Sequence, residues 1–309
     1  LEEAIQAFGE DVSAGAATPA NRNLFIVNED LPMLEGRQAE NFHHIVAKLL
    51  YVAKRARIDL QLAIAFLCTR VSKSTQEDWE KLRRVLKYIH KTIDLPRVIG
   101  VKDFKFLQTW VDASYATHPD MRSHTGGVIS LGHGVITSKS SKQKVNTKSS
   151  TEAELVGASD FVLHTMWTTW FLKDQGYVVE SNIFYQDNQS AILLEKNGRG
   201  SCGEKSRHIN IRYFFIKDVF RREKITVAHC PMERMIADYF TKPLLGSLFT
   251  FLRNIIMGIT PYPTKERVGD KVCSGTECTE IKSSTTNTGE VQTDEHDTVT
   301  STTTRTTQT

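Results

Sequence analysis

Four acidic residues between Trp110 and Asp238 limit what this chain can fold into: Asp112 in LQTWVDASYA, Glu154 in SSTEAELVGAS, Asp187 in IFYQDNQSA and Asp238 in MIADYFTK. Asp112 closes the apolar run Phe106, Leu107, Trp110, Val111, and Asp187 follows Ile183, Phe184 and Tyr185. Each is therefore expected where a buried strand reaches a sheet edge and a carboxylate can meet solvent or a cation. Glu154 and Asp238 fall in stretches of helical pattern that follow strands, so a mixed sheet can bring all four acids to one edge. Carboxylates grouped in this way repel one another and need a cation to stay ionised together. Hard oxygen ligands with open positions suit Mg²⁺ or Mn²⁺. The chemistry expected of such a group is two-metal phosphodiester hydrolysis, in which one ion activates water and both stabilise the attacking and leaving oxygens.

A chain of 309 residues has room for one or two cores. With 40% hydrophobic and 24% charged residues it reads as a globular protein bearing a polar appendage. The net charge of +3 is too small to argue for a nucleic-acid partner, but its distribution says more. Between Asp120 and Glu152 there is no acid, while Arg122, Lys139, Lys142, Lys144 and Lys148 all occur there, a stripe able to track a phosphate backbone. The competing reading of that stripe is a solvated lysine-rich loop. Five cysteines, at 68, 202, 230, 273 and 278, are odd in number and scattered, which argues against a disulfide framework and for a reducing compartment. No apolar run approaches the ~20 residues a membrane span needs, and no signal-peptide pattern is present. The chain begins at Leu1, so a fragment or processed piece is expected.

Residues 1–36 carry Pro19 and Pro32 with no sustained period and read as a short helix followed by an irregular connector. Residues 37–96 read as a small helical module. Phe42, Ile45, Val46, Leu49, Leu50 and Ala53 recur at helical spacing over 39–57, and a second apolar helix covers Leu60 to Cys68. A third starts at a capping box formed by Ser74 and Glu77 and carries the stripe Trp79, Leu82, Leu86, Ile89. From Gly100 to Pro243 the pattern is α/β. Strands are expected at 104–114, 125–131 and 135–140, the last two joined by the turn Gly132, His133, Gly134. A helix apolar on most sides, hence buried, begins near Ser149 and ends at Gly176. A strand Ile183–Asp187, a short helix Ser190–Lys196 and a helix His208–Arg222 with Ile209, Tyr213, Ile216 and Phe220 on one face follow. A strand Lys224–His229 and a helix Met232–Thr241 complete a mixed five-stranded sheet covered by helices. Residues 244–258 are expected as a packing helix, and 259–309 as a Thr/Ser-rich tail too poor in apolar residues to order itself.

The segments FHHIVAKLLYVAKRARIDLQLAIAFLCTRV, DWEKLRRVLKYI, WVDASYATHPDMRSHTGGVIS, SKQKVNTKSSTEAEL, YQDNQSA, SRHINIRYFFIKD and ADYFTKPLLG resemble, in order and spacing over about 37–258, the carboxy-terminal part of copia-type LTR retrotransposon Pol polyproteins. This resemblance implies the end of a reverse transcriptase, its thumb or connection region, followed by an RNase H domain. It implies that Asp112, Glu154, Asp187 and Asp238 are the catalytic metal ligands for two Mg²⁺ or Mn²⁺ ions, with Asp112 shared by both. It selects Glu154 over Glu152, because an apolar residue follows the family's glutamate, and leaves Glu152 as a helix cap. The implied substrate is an RNA/DNA hybrid, its RNA strand cut to leave 5′-phosphate and 3′-hydroxyl ends. Ser149, Ser150 and Thr151 would donate hydrogen bonds near the metals, and Lys139, Lys142, Lys144 and Lys148 would follow the duplex. The family's product-release histidine maps near His229. The remaining Pol polyprotein is the implied protein partner, with no membrane and no small-molecule cofactor. The implied setting is intracellular: the cytoplasm, inside virus-like particles, or the nucleus. A polymerase Tyr-x-Asp-Asp turn does not occur in the sequence, so DNA synthesis by these 309 residues alone is not expected.

Three other readings compete. An integrase-type D, D, E set would need Glu223, which sits in a run of charges just before a strand and is expected to be a solvated charge instead. A zinc site from Cys202, His208, His229 and Cys230 fits no common spacing. A degenerate transposon fragment that binds nucleic acid without cutting it is the alternative from outside the enzymes.

Overall fold

The computed structural model describes residues 1–189, 191–192 and 207–263. The amino-terminal part is helical: α1 (Glu2–Phe8), α2 (Gly36–Arg55), α3 (Gln61–Cys68) and α4 (Gln76–Lys91). In α2 the residues Phe42, Ile45, Val46, Leu49 and Ala53 form the buried stripe that their spacing dictates. The start of α4 differs from expectation by one residue, because Thr75 and Asp78 form the capping box. The shorter Asp78 carboxylate accepts from the Thr75 N–H at 3.0 Å while meeting Arg70 Nε at 3.0 Å. Glu77 reaches outward to Lys81 at 3.2 Å.

Strands β1 (Gly100–Val101), β2 (Phe106–Ser114), β3 (His124–Ser130), β4 (Gly132–His133), β5 (Thr137–Lys142), β6 (Ser181–Gln186) and β7 (Ile225–His229) follow, with helices α5 (Ser150–Asp174), α6 (Arg207–Arg222) and α7 (Gly246–Ile256). The main sheet has the order β5-β3-β2-β6-β7. The pairs β2–β3 and β3–β5 are antiparallel, and β2–β6 and β6–β7 are parallel. This is the mixed five-stranded sheet expected from the sequence. The segment read as a plain turn at 132–134 instead supplies β4, which pairs with β1 in a two-stranded ribbon. The expected helix over Met232–Thr241 is two short 3-10 turns, Met232–Arg234 and Ile236–Phe240.

Alternation along β2 divides the core between two faces. Leu107 and Val111 pack with Ile129, Leu155, Phe161, Phe184 and Ile216 on the α5 side. Trp110 packs with Val128, Val135, Ile236 and Phe240 on the other, in one cluster with Phe42, Leu49 and Leu86 of the helical module. Two adjacent glycines of β3 allow both layers to close. A Cβ on Gly126 would stand 2.7 Å from Thr241 Cγ2 and 2.9 Å from the Ala237 carbonyl oxygen, and one on Gly127 would stand 2.3 Å from Phe161 Cδ2. Helix α5 departs from the expectation of full burial: Leu163, Trp167, Trp170 and Phe171 are exposed. The sheet covers one side of a cylinder whose apolar residues run round its whole circumference.

Helical module and sheet share polar contacts as well. Gln61 donates to Ser138 Oγ at 2.8 Å, and Tyr239 donates to the Asp59 carbonyl at 3.3 Å. Phe25 sets its edge against the rings of His118 and His124. These two buried imidazoles head a chain of bonds: His118 Nε2 lies 2.9 Å from His124 Nδ1, His124 Nε2 lies 2.8 Å from Ser140 Oγ, and Ser140 donates to the Phe240 carbonyl at 2.7 Å. Because the Ser140 proton goes to Phe240, His124 must donate through Nε2 and accept at Nδ1, and His118 must donate through Nε2. That leaves His118 Nδ1 buried without a partner. No helix among the described residues is long and apolar enough to cross a membrane. Most of the expected helix Ser190–Lys196, the side chains of Ile209 and Tyr213, and the Thr/Ser-rich tail beyond residue 263 lie outside the described residues.

Two consequences are measurable. Gly127→Ala should cost about 1–3 kcal/mol in urea unfolding by overpacking against Phe161, and Phe161→Leu in the same chain should recover part of that loss. Burial first, then Lys142, pushes His118 down to about 4, and burial first, then His118, pushes His124 down to about 3, while Asp120 opposes the shift at His118. Their contribution to stability is complete above the unfolded value of 6.5 and is lost as pH falls through about 4 and then about 3. Imidazole NMR signals of His118 and His124 should accordingly show no titration between pH ~5 and ~8.

Candidate active site

Strand register brings the first two acids together. Trp110 of β2 pairs in parallel with Tyr185 of β6, so Asp112 and Asp187, each two residues further on, stand at the same end of neighbouring strands. Helix α5 packs across β2 and β3 and places Glu154, in its first turns, against that end. Carboxylate oxygens of Asp112, Glu154 and Asp187 all lie within 4.8 Å of one another. Among the described residues this is the group of acids, histidines and cysteines able to hold a metal ion.

Asp238 approaches from the opposite face, on the turn that Gly126 admits; Gly126 is the cross-strand partner of Asp112. Thr241 Oγ1 donates to Asp112 Oδ2. Lys242 Nζ lies 2.8 Å from Asp238 Oδ1 and 3.5 Å from Asp112 Oδ1, so an ammonium links the fourth acid to the first.

The electrostatics follow from burial and like charge. Burial, then repulsion from Asp112 and Asp187, pushes the Glu154 carboxyl well above the ordinary range. Asp187 is raised by burial and then by Asp112. Burial and then Asp112 push Asp238 up to about 7 against the pull of Lys242. Burial works against the Lys242 charge, but Asp112 and Asp238 outweigh it and hold the ammonium above its usual range. Glu154 Oε2 is buried with no hydrogen-bond partner. An orphaned oxygen beside two further carboxylates is a donor set that fits a hard divalent cation.

The remaining residues singled out from the sequence are dispersed around this centre. Ser149 is the N-cap of α5, its Oγ accepting from the Glu152 N–H at 3.2 Å. The Glu152 carboxylate accepts from the Lys148 N–H at 2.7 Å, the capping role expected of it. Ser150 and Thr151 open the same helix ahead of Glu154. Lys144 and Lys148 are exposed on the loop before it. Lys139 and Lys142 leave opposite faces of β5: Lys142 meets Asp120 at 2.6 Å, while Lys139 stands on the side of His164 in α5. His229 ends β7 beside Gln186, exposed and close enough to Asp187 to oppose its upward shift. Glu223 is a correction: its side chain is only 7% exposed and accepts from Trp170 Nε1 at 3.1 Å, so it is no solvated charge. It precedes β7, at the opposite end of the parallel strands from Asp187. Of the zinc alternative, Cys230 is buried and His229 exposed, and the side chains of Cys202 and His208 lie outside the described residues. Gly126, Thr241 and Lys242 belong to the site without any motif that singles them out in the sequence. The signal for Lys242 was its position four residues after Asp238, where a lysine can meet an acid.

An antiparallel trio extended on one side by two parallel strands, with helices on both faces and acids at the shared strand ends, defines an RNase H-like α/β protein. The chain is 26% identical over 261 residues to the retrovirus-related Pol polyprotein from transposon TNT 1-94 of Nicotiana tabacum, covering 83% of this chain and 19% of that protein. It is 30% identical over 217 residues to the Pol polyprotein from transposon RE2 of Arabidopsis thaliana, covering 69% of this chain and 15% of that protein. With the transposon Ty1-JR2 Gag-Pol polyprotein of Saccharomyces cerevisiae it shares 25% identity over 251 residues, 77% of this chain and 14% of that protein. The chain is a relative of the Pol polyproteins of copia-type retrotransposons, and it spans 14–19% of the length of these three. No family model matches it. Among solved structures it is similar to LC11-RNase H1 from compost, with TM-score 0.33 and 12% identity over 44% of this chain and 92% of that one. RNase H1 from Halobacterium salinarum gives TM-score 0.29 and 15% identity, covering 44% of this chain and 90% of that one.

The raised acids have a consequence for stability. The contribution of protonated Asp238 is fully present below 3.8 and is lost as pH rises through about 7. In chelator, the stability of the wild type should fall across that window by an amount on the order of 1–3 kcal/mol more than that of Asp238→Asn, as read by denaturant unfolding at stepped pH.

Proposed function

We propose that this chain is the metal-dependent ribonuclease H portion of a retrotransposon reverse transcriptase, cutting the RNA strand of RNA/DNA hybrids to leave 5′-phosphate and 3′-hydroxyl ends. The observation that carries the reading is the convergence of Asp112, Glu154 and Asp187, from β2, α5 and β6, within 4.8 Å. Kinship with retrotransposon Pol polyproteins supports it. Residues 37–96 would be the end of the polymerase, its thumb or connection, and the rest of the Pol polyprotein its partner.

Asp112, Glu154, Asp187 and Asp238 would hold two Mg²⁺ or Mn²⁺ ions, with Asp112 shared, and the bound ions would supply Lewis-acid polarisation of the scissile phosphate. Asp112 has one oxygen fixed by Thr241, which sets the orientation of its carboxylate. Glu154 contributes the buried oxygen that lacks a partner. Ser149, Ser150 and Thr151, at the head of α5, would read a 2′-hydroxyl, the group that separates RNA from DNA. Lys144 and Lys148, with Lys139 and Lys142 on either face of β5, would contribute hybrid affinity that falls with salt. His229, exposed beside Asp187, would assist release of the cut strand.

The test is cleavage of an RNA/DNA hybrid in Mg²⁺. The wild type should cut the RNA strand, and Asp112→Asn should lose roughly two or more orders of magnitude in rate while still folding. If the wild type binds the hybrid and leaves the RNA whole, the binding-only fragment replaces the nuclease. In the same assay His229→Ala should slow multiple turnover but not a single turnover. Lys144→Ala with Lys148→Ala should flatten the salt dependence of hybrid binding; unchanged behaviour removes each assignment.

A further inference from the structure

The acids at the strand ends are not equivalent toward a cation. Asp112, Glu154 and Asp187 form a close group whose buried Glu154 Oε2 lacks any partner. Asp238 stands outside that group, and the space between it and Asp112 is taken by the Lys242 ammonium, 2.8 Å from one carboxylate and 3.5 Å from the other. The two sides of Asp112 therefore differ: the ammonium is in direct contact with Asp112 and Asp238, while it reaches Glu154 and Asp187 only at longer range.

We propose that Lys242 is the resident counter-cation of this site, neutralising Asp112 and Asp238 in the metal-free protein and giving way when a second divalent ion binds, so that the two ions enter in separate, unequal steps. The inference rests on the metallonuclease reading and concerns how that site is loaded. A monovalent cation in contact with both carboxylates repels an incoming divalent ion and competes for the same oxygens. The exchange is feasible because the two partners are unequally fixed. The Lys242 side chain is 36% exposed and that of Asp238 only 11%, so the lysine head can turn to water while the acid stays. The backbone need not move: the Lys242 N–H is bonded to the Asp238 carbonyl at 2.9 Å, and Ile236, Ala237, Tyr239 and Phe240 are buried. Lys242 is thus a positioning residue in the metal-free state and a competitor during loading.

The experiment is a Mn²⁺ titration of the full chain, with free Mn²⁺ read by electron paramagnetic resonance and Mg²⁺ heats by calorimetry, on wild type, Lys242→Met, Lys242→Gln and Lys242→Arg. Wild type should bind one ion and then, at least about tenfold more weakly, a second, a gap within the usual range of coupling between ligands. Lys242→Met and Lys242→Gln should tighten the second step by about tenfold and leave the first within about twofold, and Lys242→Arg should keep the wild-type pattern. Melting in chelator should show the two neutral variants less stable than wild type, the gap closing on saturation with Mn²⁺. A second step that is unchanged or weakened in both neutral variants overturns the proposal and leaves Lys242 as a brace for Asp238. If neither wild type nor the variants bind Mn²⁺, the metal reading itself fails, and Lys242 as a competitor fails with it.

Discussion

Like charges held together in a largely dry site raise one another's affinity for protons, and this repulsion is the constraint under which the rest of the fold operates. Left to local structure, the four acids would sit apart: one lies near the end of β2, one follows β6, one rides on α5 and one on a 3-10 turn on the opposite face. Tertiary packing forces them together, and it does so with elements that cannot easily recede. The parallel register of β2 and β6 fixes the separation of Asp112 and Asp187 through backbone bonds. Helix α5 is locked to the sheet by Leu155, Phe161 and Val162, all fully buried. Repulsion is absorbed by proton uptake and by Lys242, and the geometry stays in place.

The glycine pair of β3 shows how little sequence this arrangement needs. At a central strand position a side chain normally adds packing and β-propensity, and glycine weakens the strand. Here Gly126 and Gly127 point to opposite faces, and each removes the one atom that would keep a layer away. One admits the turn carrying Asp238, Thr241 and Lys242, and the other admits the ring of Phe161 and with it the helix of Glu154. A local loss in strand stability is exchanged for approach of both halves of the site.

Much of this was legible in the sequence because it depends on short-range pattern. The apolar runs ending in Asp112 and Asp187 marked strand ends, and Ser149 with Glu152 marked the start of α5. What escaped were features set by contacts distant in sequence. Trp167, Trp170 and Phe171 look like core residues in any periodicity count, yet whether they are covered depends on which side of α5 meets the sheet. The choice of Thr75 and Asp78 over Ser74 and Glu77 turned on Arg70, which holds Asp78 in a buried pair that the longer acid does not make. The separation of Lys139 from Lys142 was readable, since an odd difference in position along a strand reverses the face. Helical form over Met232–Thr241 was not, because that stretch is shaped by what clamps it.

That clamping explains why the helical module belongs to the site as well as to the core. Asp238 lies in a stretch held from two directions by its neighbours. Tyr239 donates its hydroxyl to the Asp59 carbonyl and stacks on Phe249. Asp59 is itself buried in a pair with Arg57 at 2.8 Å and accepts from Tyr88 at 2.8 Å. On the other side, the Phe240 carbonyl is the end of the chain of bonds that runs through Ser140 and the two imidazoles to the rings of Phe25 and Phe66. A buried ion pair with a broken partner leaves an uncompensated charge, and a buried polar chain with one member missing leaves an unsatisfied group. Both supports are therefore all-or-none in character. The position of the fourth carboxylate is set jointly by residues 25–92 and by the sheet, so an acidic edge built from strands depends for one of its acids on helices that contribute no acid to it.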